Sequence, residues 1–162
     1  MEYRIRKIEP QDNLAVEKVI RACLIEYGAN HDGTAWADPD LCRFSEVYSL
    51  PGNCYWVAED SAGNIIAGVG IGGAGFAAGL CELQKMYCLE YARGSGVAQA
   101  LMDKAMDYAA RHYSACFLET LQNMTRAQRF YEKHGFKRFF GKIASTEHYA
   151  CDVCYIKRFV RA

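Results

Sequence analysis

The sequence predicts an α/β (α+β) fold in which one sheet is covered by helices on both faces. Three observations predict it. Seven short runs read as strands, at residues 3–8, 55–60, 65–71, 81–89, 115–120, 136–139 and 149–159. Helical segments are interspersed among them, which calls for a layered arrangement. The chain has 162 residues, 51% of them apolar, enough for one domain with a substantial core, so residues 1–162 are read as a single domain.

The elements follow in order. Residues 3–8 alternate charged and apolar side chains. After Pro10, Val16, Val19, Ile20, Cys23, Leu24 and Tyr27 form the stripe of a helix that Gly28 ends. A polar stretch from His31 to Asp38 follows, then an expected short helix over Pro39–Ser49, before Pro51-Gly52 breaks the chain. Tyr55–Asp60 and Ile65–Ile71 read as a hairpin across Ser61-Ala62-Gly63-Asn64. A Gly/Ala-rich turn, Gly72 to Gly79, leads into the strand Cys81–Leu89. In the helix Gly96–Arg111, Val97, Leu101, Ala105 and Tyr108 face inward, and Gln99, Asp103, Lys104 and Asp107 face water. Ala115–Thr120 is a strand, and a helix starting at Asn123 or Thr125 ends at Gly135.

Composition narrows the function. Nineteen basic and nineteen acidic side chains cancel, so no global charge favours nucleic acid or an anionic membrane. No run approaches the roughly 20 apolar residues of a membrane helix, and the start lacks the continuous apolar core of a secretory signal. Of eight cysteines, Cys23, Cys81, Cys88 and Cys116 fall in apolar segments and read as small buried hydrophobes in a reducing cytoplasm. Cys151 and Cys154 have C-x-x-C spacing in what reads as a strand. Residues three apart on a strand point to opposite faces, so the pair is not expected to share a metal. His31, His112, His134 and His148 lack ligand spacing and read as surface residues; no metal is expected.

The chemistry lies in a strand, turn and helix: Glu82-Leu83-Gln84-Lys85-Met86-Tyr87-Cys88-Leu89, then Glu90-Tyr91-Ala92, then Arg93-Gly94-Ser95-Gly96-Val97-Ala98. Glycines where a strand hands over to a helix allow a tight turn and close ligand approach. The first helical amides lack internal partners and carry partial positive charge, so such a turn suits a pyrophosphate. A Rossmann site would want a third glycine and an early position, and a P-loop would want Gly-Lys-Ser/Thr; neither pattern is present.

These residues resemble the GNAT acetyltransferase superfamily. Arg93-Gly94-Ser95-Gly96-Val97-Ala98 matches the family's acetyl-CoA signature, Arg/Gln-x-x-Gly-x-Gly/Ala. Ala127-Gln128-Arg129-Phe130-Tyr131-Glu132-Lys133-His134-Gly135-Phe136 matches its Ala-x-x-x-Tyr-Glu-Lys-x-Gly-Phe ending, and Phe117-Leu118-Glu119-Thr120 with Asn123 sits between the two. The match covers residues 81–136, about a third of the chain. It departs where the strand ends Cys88-Leu89-Glu90 instead of Val-x-Pro.

The resemblance implies a mixed, mostly antiparallel sheet of six to seven strands, with a wedge between the fourth and fifth, and acetyl-CoA as cosubstrate. Backbone groups of Met86, Tyr87 and Cys88 would pair with the pantetheine arm, the amides of Arg93, Gly94, Ser95, Gly96, Val97 and Ala98 would hold the pyrophosphate, and Asn123 would touch the cofactor from across the wedge. Tyr131 reads as either core packing or the acid that protonates the departing thiolate. Glu82, eleven residues before Arg93, and Glu119, twelve before Tyr131, resemble two alternative general bases; a water chain is the third route. His148 precedes the last strand, where the family contacts acceptors. Trp36, Tyr48, Tyr55 and Trp56 could line an acceptor pocket or pack in the core. A covalent route through Cys88 has no visible histidine partner. The expected activity is N-acetylation of a small-molecule or peptide amine by direct attack, with no nucleic acid or membrane partner, in the cytoplasm, possibly as a homodimer. A non-catalytic acyl-CoA sensor on the same fold is the alternative.

Overall fold

The computed structural model describes residues 1–141 and 150–160. Its strands are β1 (Tyr3–Lys7), β2 (Cys54–Asp60), β3 (Ile65–Gly73), β4 (Leu80–Cys88), β5 (Ala115–Thr120), β6 (Lys137–Phe139) and β7 (Val153–Arg158). Its α-helices are α1 (Asn13–Glu26), α2 (Phe44–Val47), α3 (Val97–His112) and α4 (Thr125–Lys133). The strands form one sheet in the order β1-β2-β3-β4-β5-β7-β6. Among the described residues only β4 and β5 run parallel; all other neighbours are antiparallel.

The period of two along β2 sorts the core into two layers. Tyr55 and Val57 pack with Val16, Val19, Ile20, Cys23 and Leu24 of α1 and Phe44 of α2. Trp56 and Ala58 join Val97, Leu101, Met102, Ala105 and Ala109 of α3, together with Tyr131 of α4. The apolar stripes of α1 and α3 therefore cover opposite faces of the sheet. Each large side chain buried this way contributes about 1.5–3 kcal/mol.

Two features of β4 position the site. First, β4 pairs with β5 only at Leu80↔Ala115, Cys81↔Cys116 and Glu82↔Phe117. Beyond these, β4 stays with β3 as far as Ala67↔Cys88, and β5 stays with β7 as far as Thr120↔Val153. The two halves of the sheet part, and a wedge opens between them. Second, β4 carries a bulge. Gly70 faces Gln84 and Gly68 faces Tyr87, so Lys85 and Met86 together oppose Val69. Lys85 has φ +50°, the one non-glycine residue at positive φ among those described, a conformation that costs about 1–3 kcal/mol.

The structure differs from the sequence reading in four places. The helix expected over Pro39–Ser49 is confined to Phe44–Val47, because Asp38-Pro39-Asp40 starts turns instead. β3 runs on through Gly73, which shortens the turn before β4. β7 begins at Val153, so Cys151 precedes the strand and does not alternate with Cys154. His134 is half-buried at the end of α4, with Nδ1 2.7 Å from the Phe130 carbonyl oxygen.

Candidate active site

The wedge holds two cavities, of about 420 and 430 Å³, that share Met86, Tyr87, Met124 and Tyr131. The first lies toward the start of α3. Gly94 and Gly96 take φ +78° and +90°, the left-handed region that favours glycine. Ser95 Oγ donates to the Ala92 carbonyl at 2.7 Å and steadies the turn. The Arg93 guanidinium clasps Glu26 at 2.5 and 2.6 Å, and its Nε donates to the Cys88 carbonyl at 3.0 Å, tying α1 to the end of β4. The amides of Val97, Ala98 and Gln99 open α3 and have no intrahelical acceptor.

These residues fit the diphosphate end of a nucleotide cosubstrate. A Cβ built on Gly94 meets no atom within 4 Å, so space in front of the turn is open. Arg93, Arg126 and Lys133 line the same cavity, and no acidic side chain does so among the described residues. Gly96 serves through its backbone: a Cβ there would point toward Tyr3 Oη, 3.6 Å away. Its requirement is the positive φ rather than room for the ligand.

The second cavity lies between β4, β5 and the segment joining α1 to α2. Its charged lining comprises Asp38, Asp40, Glu82, Lys85 and Glu119. Glycines in β3 make room for two tyrosine rings beside it. A Cβ on Gly68 would meet the Tyr55 ring at 2.6–2.9 Å, and one on Gly70 the Tyr48 ring at 2.7–2.9 Å. Tyr48 donates to Gln84 Oε1 at 2.9 Å, and Gln84 Nε2 donates to Glu82 Oε2 at 2.7 Å. Tyr55 donates to the Lys85 carbonyl at 3.0 Å and holds the bulge. Lys85 is ion-paired with Asp38.

The bulge decides which side chains meet here. Before it, Glu82 and Gln84 face the α1/α2 side, where Tyr48 lies, while Leu83 packs in the α3 layer. After it the alternation is reset: Lys85 and Tyr87 face the α1/α2 side, and Met86 and Cys88 pack toward α3.

Tyr131 and Tyr87 reach the boundary between the cavities from opposite core layers. Burial pushes the Tyr131 phenol above its usual range, with Cys151 and Tyr27 adding to the effect. Burial does the same to Tyr87, reinforced by Tyr131. Both hydroxyls therefore keep their protons at neutral pH. The Cys88 thiol is pushed up to about 11, by burial first, and Arg93 only partly offsets it. Cys151, which lines the second cavity, is pushed up to about 11 by burial and then by Glu119. Neither thiol is a ready nucleophile.

Of the residues singled out in sequence, Cys88, Arg93, Gly94, Gly96 and Ala98 line the first cavity, Glu82 and Glu119 the second, and Met86, Tyr87 and Tyr131 both. Ser95 and Val97 stand behind the turn. Asn123 lies outside the lining; its amide donates to the Tyr27 carbonyl at 3.2 Å and links the start of α4 to the end of α1. Tyr48 lines the second cavity, whereas Tyr55 supports it from the core, Trp56 packs in the α3 layer and Trp36 stacks under Arg21 at 4.6 Å. His148 lies outside the described residues. Asp38, Gln84, Lys85, Met124, Arg126 and Cys151 were not foreseen.

This chain is similar to known proteins. A family model described as an acetyltransferase (GNAT) domain matches residues 51–138. An uncharacterized N-acetyltransferase of Escherichia coli K12, YjgM, is 40% identical over 92% of this chain and 90% of its own length. The human N-acetylaspartate synthetase is 34% identical over 68% of this chain, which spans about a third (35%) of that enzyme. A GNAT-family acetyltransferase structure from Staphylococcus aureus Mu50 superposes with a TM-score of 0.84 at 19% identity, covering 98% of this chain and all of its own. The PaiA N-acetyltransferase of Thermoplasma acidophilum, solved with coenzyme A, gives a TM-score of 0.76 at 16% identity over 98% of this chain and all of its own.

Proposed function

This chain belongs to the GNAT acetyltransferase family and is an acyltransferase; from that premise we propose that it moves the acetyl group of acetyl-CoA directly onto an amine held in the second cavity. The observation that carries the proposal is the place of Tyr131, the protonated phenol on the boundary between the two cavities. Acetyl-CoA supplies the acyl group, as a thioester. The Gly94–Ala98 turn and the first amides of α3 bind its pyrophosphate, with Arg126 and Lys133 adding positive charge. The free edge of β4 from Met86 to Cys88 orients the pantetheine arm, and an amide there receives the charge that develops on the thioester oxygen. Glu82 or Glu119 takes the amine's proton, directly or through water. Tyr131 Oη gives its proton to the departing sulfur.

Two similar proteins support the choice of substrates: the Thermoplasma structure is a coenzyme A complex, and the human synthetase is named for making N-acetylaspartate. We infer a cytoplasmic location from the sequence, whose cysteines fall mainly in apolar segments; titration of eight free thiols in the denatured, unreduced protein tests it. Thiol release from acetyl-CoA across a panel of amines tests the proposal. Acceptor-dependent release of coenzyme A, matched by N-acetylated product, is expected. Tight acetyl-CoA binding without release would turn the reading to an acyl-CoA sensor.

A further inference from the structure

We propose that Met124 sets the length of the acyl group and confines the donor to acetyl-CoA. This rests on the reading of the wedge as the site of acyl transfer.

Four residues line both cavities: Met86 and Tyr87 from β4, Tyr131 from α4, and Met124 from the turn between β5 and α4. A thioester bound for transfer lies among them. Its carbonyl carbon is planar and carries three substituents. The sulfur leads back along the pantetheine arm into the first cavity. The oxygen turns to an amide at the edge of β4. The acyl carbon is therefore left pointing away from β4, toward the β5–α4 side of the wedge, while the amine attacks across the plane. Two of the shared residues belong to that side. Tyr131 brings a hydroxyl, which serves the sulfur. Met124 brings an apolar side chain, which suits a methyl group.

Met124 is held in place for such a role. Met86 and Tyr131 pack in one core layer and Tyr87 in the other; among the described residues Met124 packs in neither. Its position comes from polar contacts instead. Its N–H donates to the Leu121 carbonyl and its carbonyl accepts from the Gln128 N–H, both at 3.1 Å. The Gln128 side chain ties the same turn, donating to the Leu121 and Gln122 carbonyls at 3.0 and 3.1 Å. Thr120, at the end of β5, is only 5% exposed, and its hydroxyl donates to Met124 Sδ at 3.6 Å. A methionine side chain has three rotatable bonds and ordinarily adapts to what it touches. With its sulfur fixed by a buried hydroxyl, Met124 becomes a wall at a set depth. An acetyl group meets that wall with its methyl. Each further methylene must displace Met124 or turn into the room of the amine.

The test is the Kd of acetyl-, propionyl- and butyryl-CoA, with free coenzyme A as control, measured by calorimetry on the whole chain without acceptor. The wild type should bind butyryl-CoA at least about tenfold more weakly than acetyl-CoA, the discrimination expected for a misfitting methylene. In Met124→Ala that ratio should fall to about one, and Met124→Leu, close in volume, should keep it. Thr120→Val keeps the shape of the side chain and removes the hydroxyl, so it should lower the ratio part of the way. Free coenzyme A should bind the wild type and all three variants alike, because none of the changes touches the Gly94–Ala98 turn. Equal affinity of the wild type for acetyl- and butyryl-CoA, which needs no variant, would overturn the inference and leave the transferase reading intact. So would an unchanged ratio in Met124→Ala. Binding of acetyl-CoA without turnover of any amine would overturn both.

Discussion

The two cavities meet at Tyr131 and are built by different means. The proposed cosubstrate side is made mostly of backbone: two glycines at positive φ, the opening amides of α3 and the edge of β4, with three positive and no negative lining side chains among the described residues. The proposed acceptor side is made of side chains that converge from β4, β5, α2 and the α1–α2 segment, with four carboxylates and one lysine among the described residues. Backbone recognition comes from a short contiguous motif and suits an invariant ligand group such as a diphosphate. Side-chain recognition is assembled from distant positions and suits a ligand that differs from one relative to the next.

The largest effect is expected at the boundary between the cavities. Tyr131→Phe keeps the ring and removes the hydroxyl, so kcat should fall by roughly 10²–10⁴ while the Kd of acetyl-CoA, measured by calorimetry, stays near wild type. Tyr87→Phe tests the rival phenol, and the larger loss identifies the acid. Next come the carboxylates. Glu82→Gln or Glu119→Gln should lower the rate by about 10²-fold near neutral pH, and by less at alkaline pH, where more of the acceptor amine is already deprotonated. Equal pH profiles for both variants and the wild type would assign proton removal to water.

The proposed cosubstrate side gives smaller effects, on affinity and stability rather than on the chemical step. Gly96→Val forces a β-branched residue to φ +90°; a strain of about 1–3 kcal/mol should weaken acetyl-CoA binding on the order of tenfold by distorting the turn. Normal affinity would show that the turn does not depend on this conformation. The smallest effect is expected from Glu26→Gln. The pair it forms with Arg93 is partly exposed, at 35% and 17%, and contributes about 0.2–1 kcal/mol. The hydrogen bond from Arg93 holds the Glu26 carboxyl below its usual value. Its folded-state pKa is depressed, so its contribution is present above the unfolded value of about 4.3 and is lost as pH falls through the folded one. The Tm difference between wild type and Glu26→Gln should therefore shrink on acidification.

Legibility in the sequence follows the same division. The helices α1 and α3 were readable because their apolar residues keep helical spacing over three or four turns. The Gly94–Gly96 turn was readable because its demands fall on adjacent residues. The acceptor side was not. Lys85 looks like any solvent-facing lysine in a strand, and nothing in Gln84-Lys85-Met86 announces a bulge, which arises from how β4 registers against Gly68, Val69 and Gly70. Asp38 becomes part of the site only because the α1–α2 segment folds over β4. Cys151 was assigned to a strand because its neighbours are apolar, yet β7 starts two residues later. The resemblance implies that Asn123 contacts the cofactor from across the wedge; in the structure its side chain lies outside the cavity lining and donates one N–H to the Tyr27 carbonyl.

On the proposed mechanism the two cavities form one reaction path through Tyr131. A crystal structure of the chain with bound coenzyme A would show whether they do. The pyrophosphate is expected against the Gly94–Ala98 turn, the pantetheine arm along Met86–Cys88 and the sulfur within hydrogen-bond reach of Tyr131 Oη, facing the cavity that contains Glu82, Lys85 and Glu119. A sulfur directed away from Tyr131, or a coenzyme held outside the wedge, would contradict it.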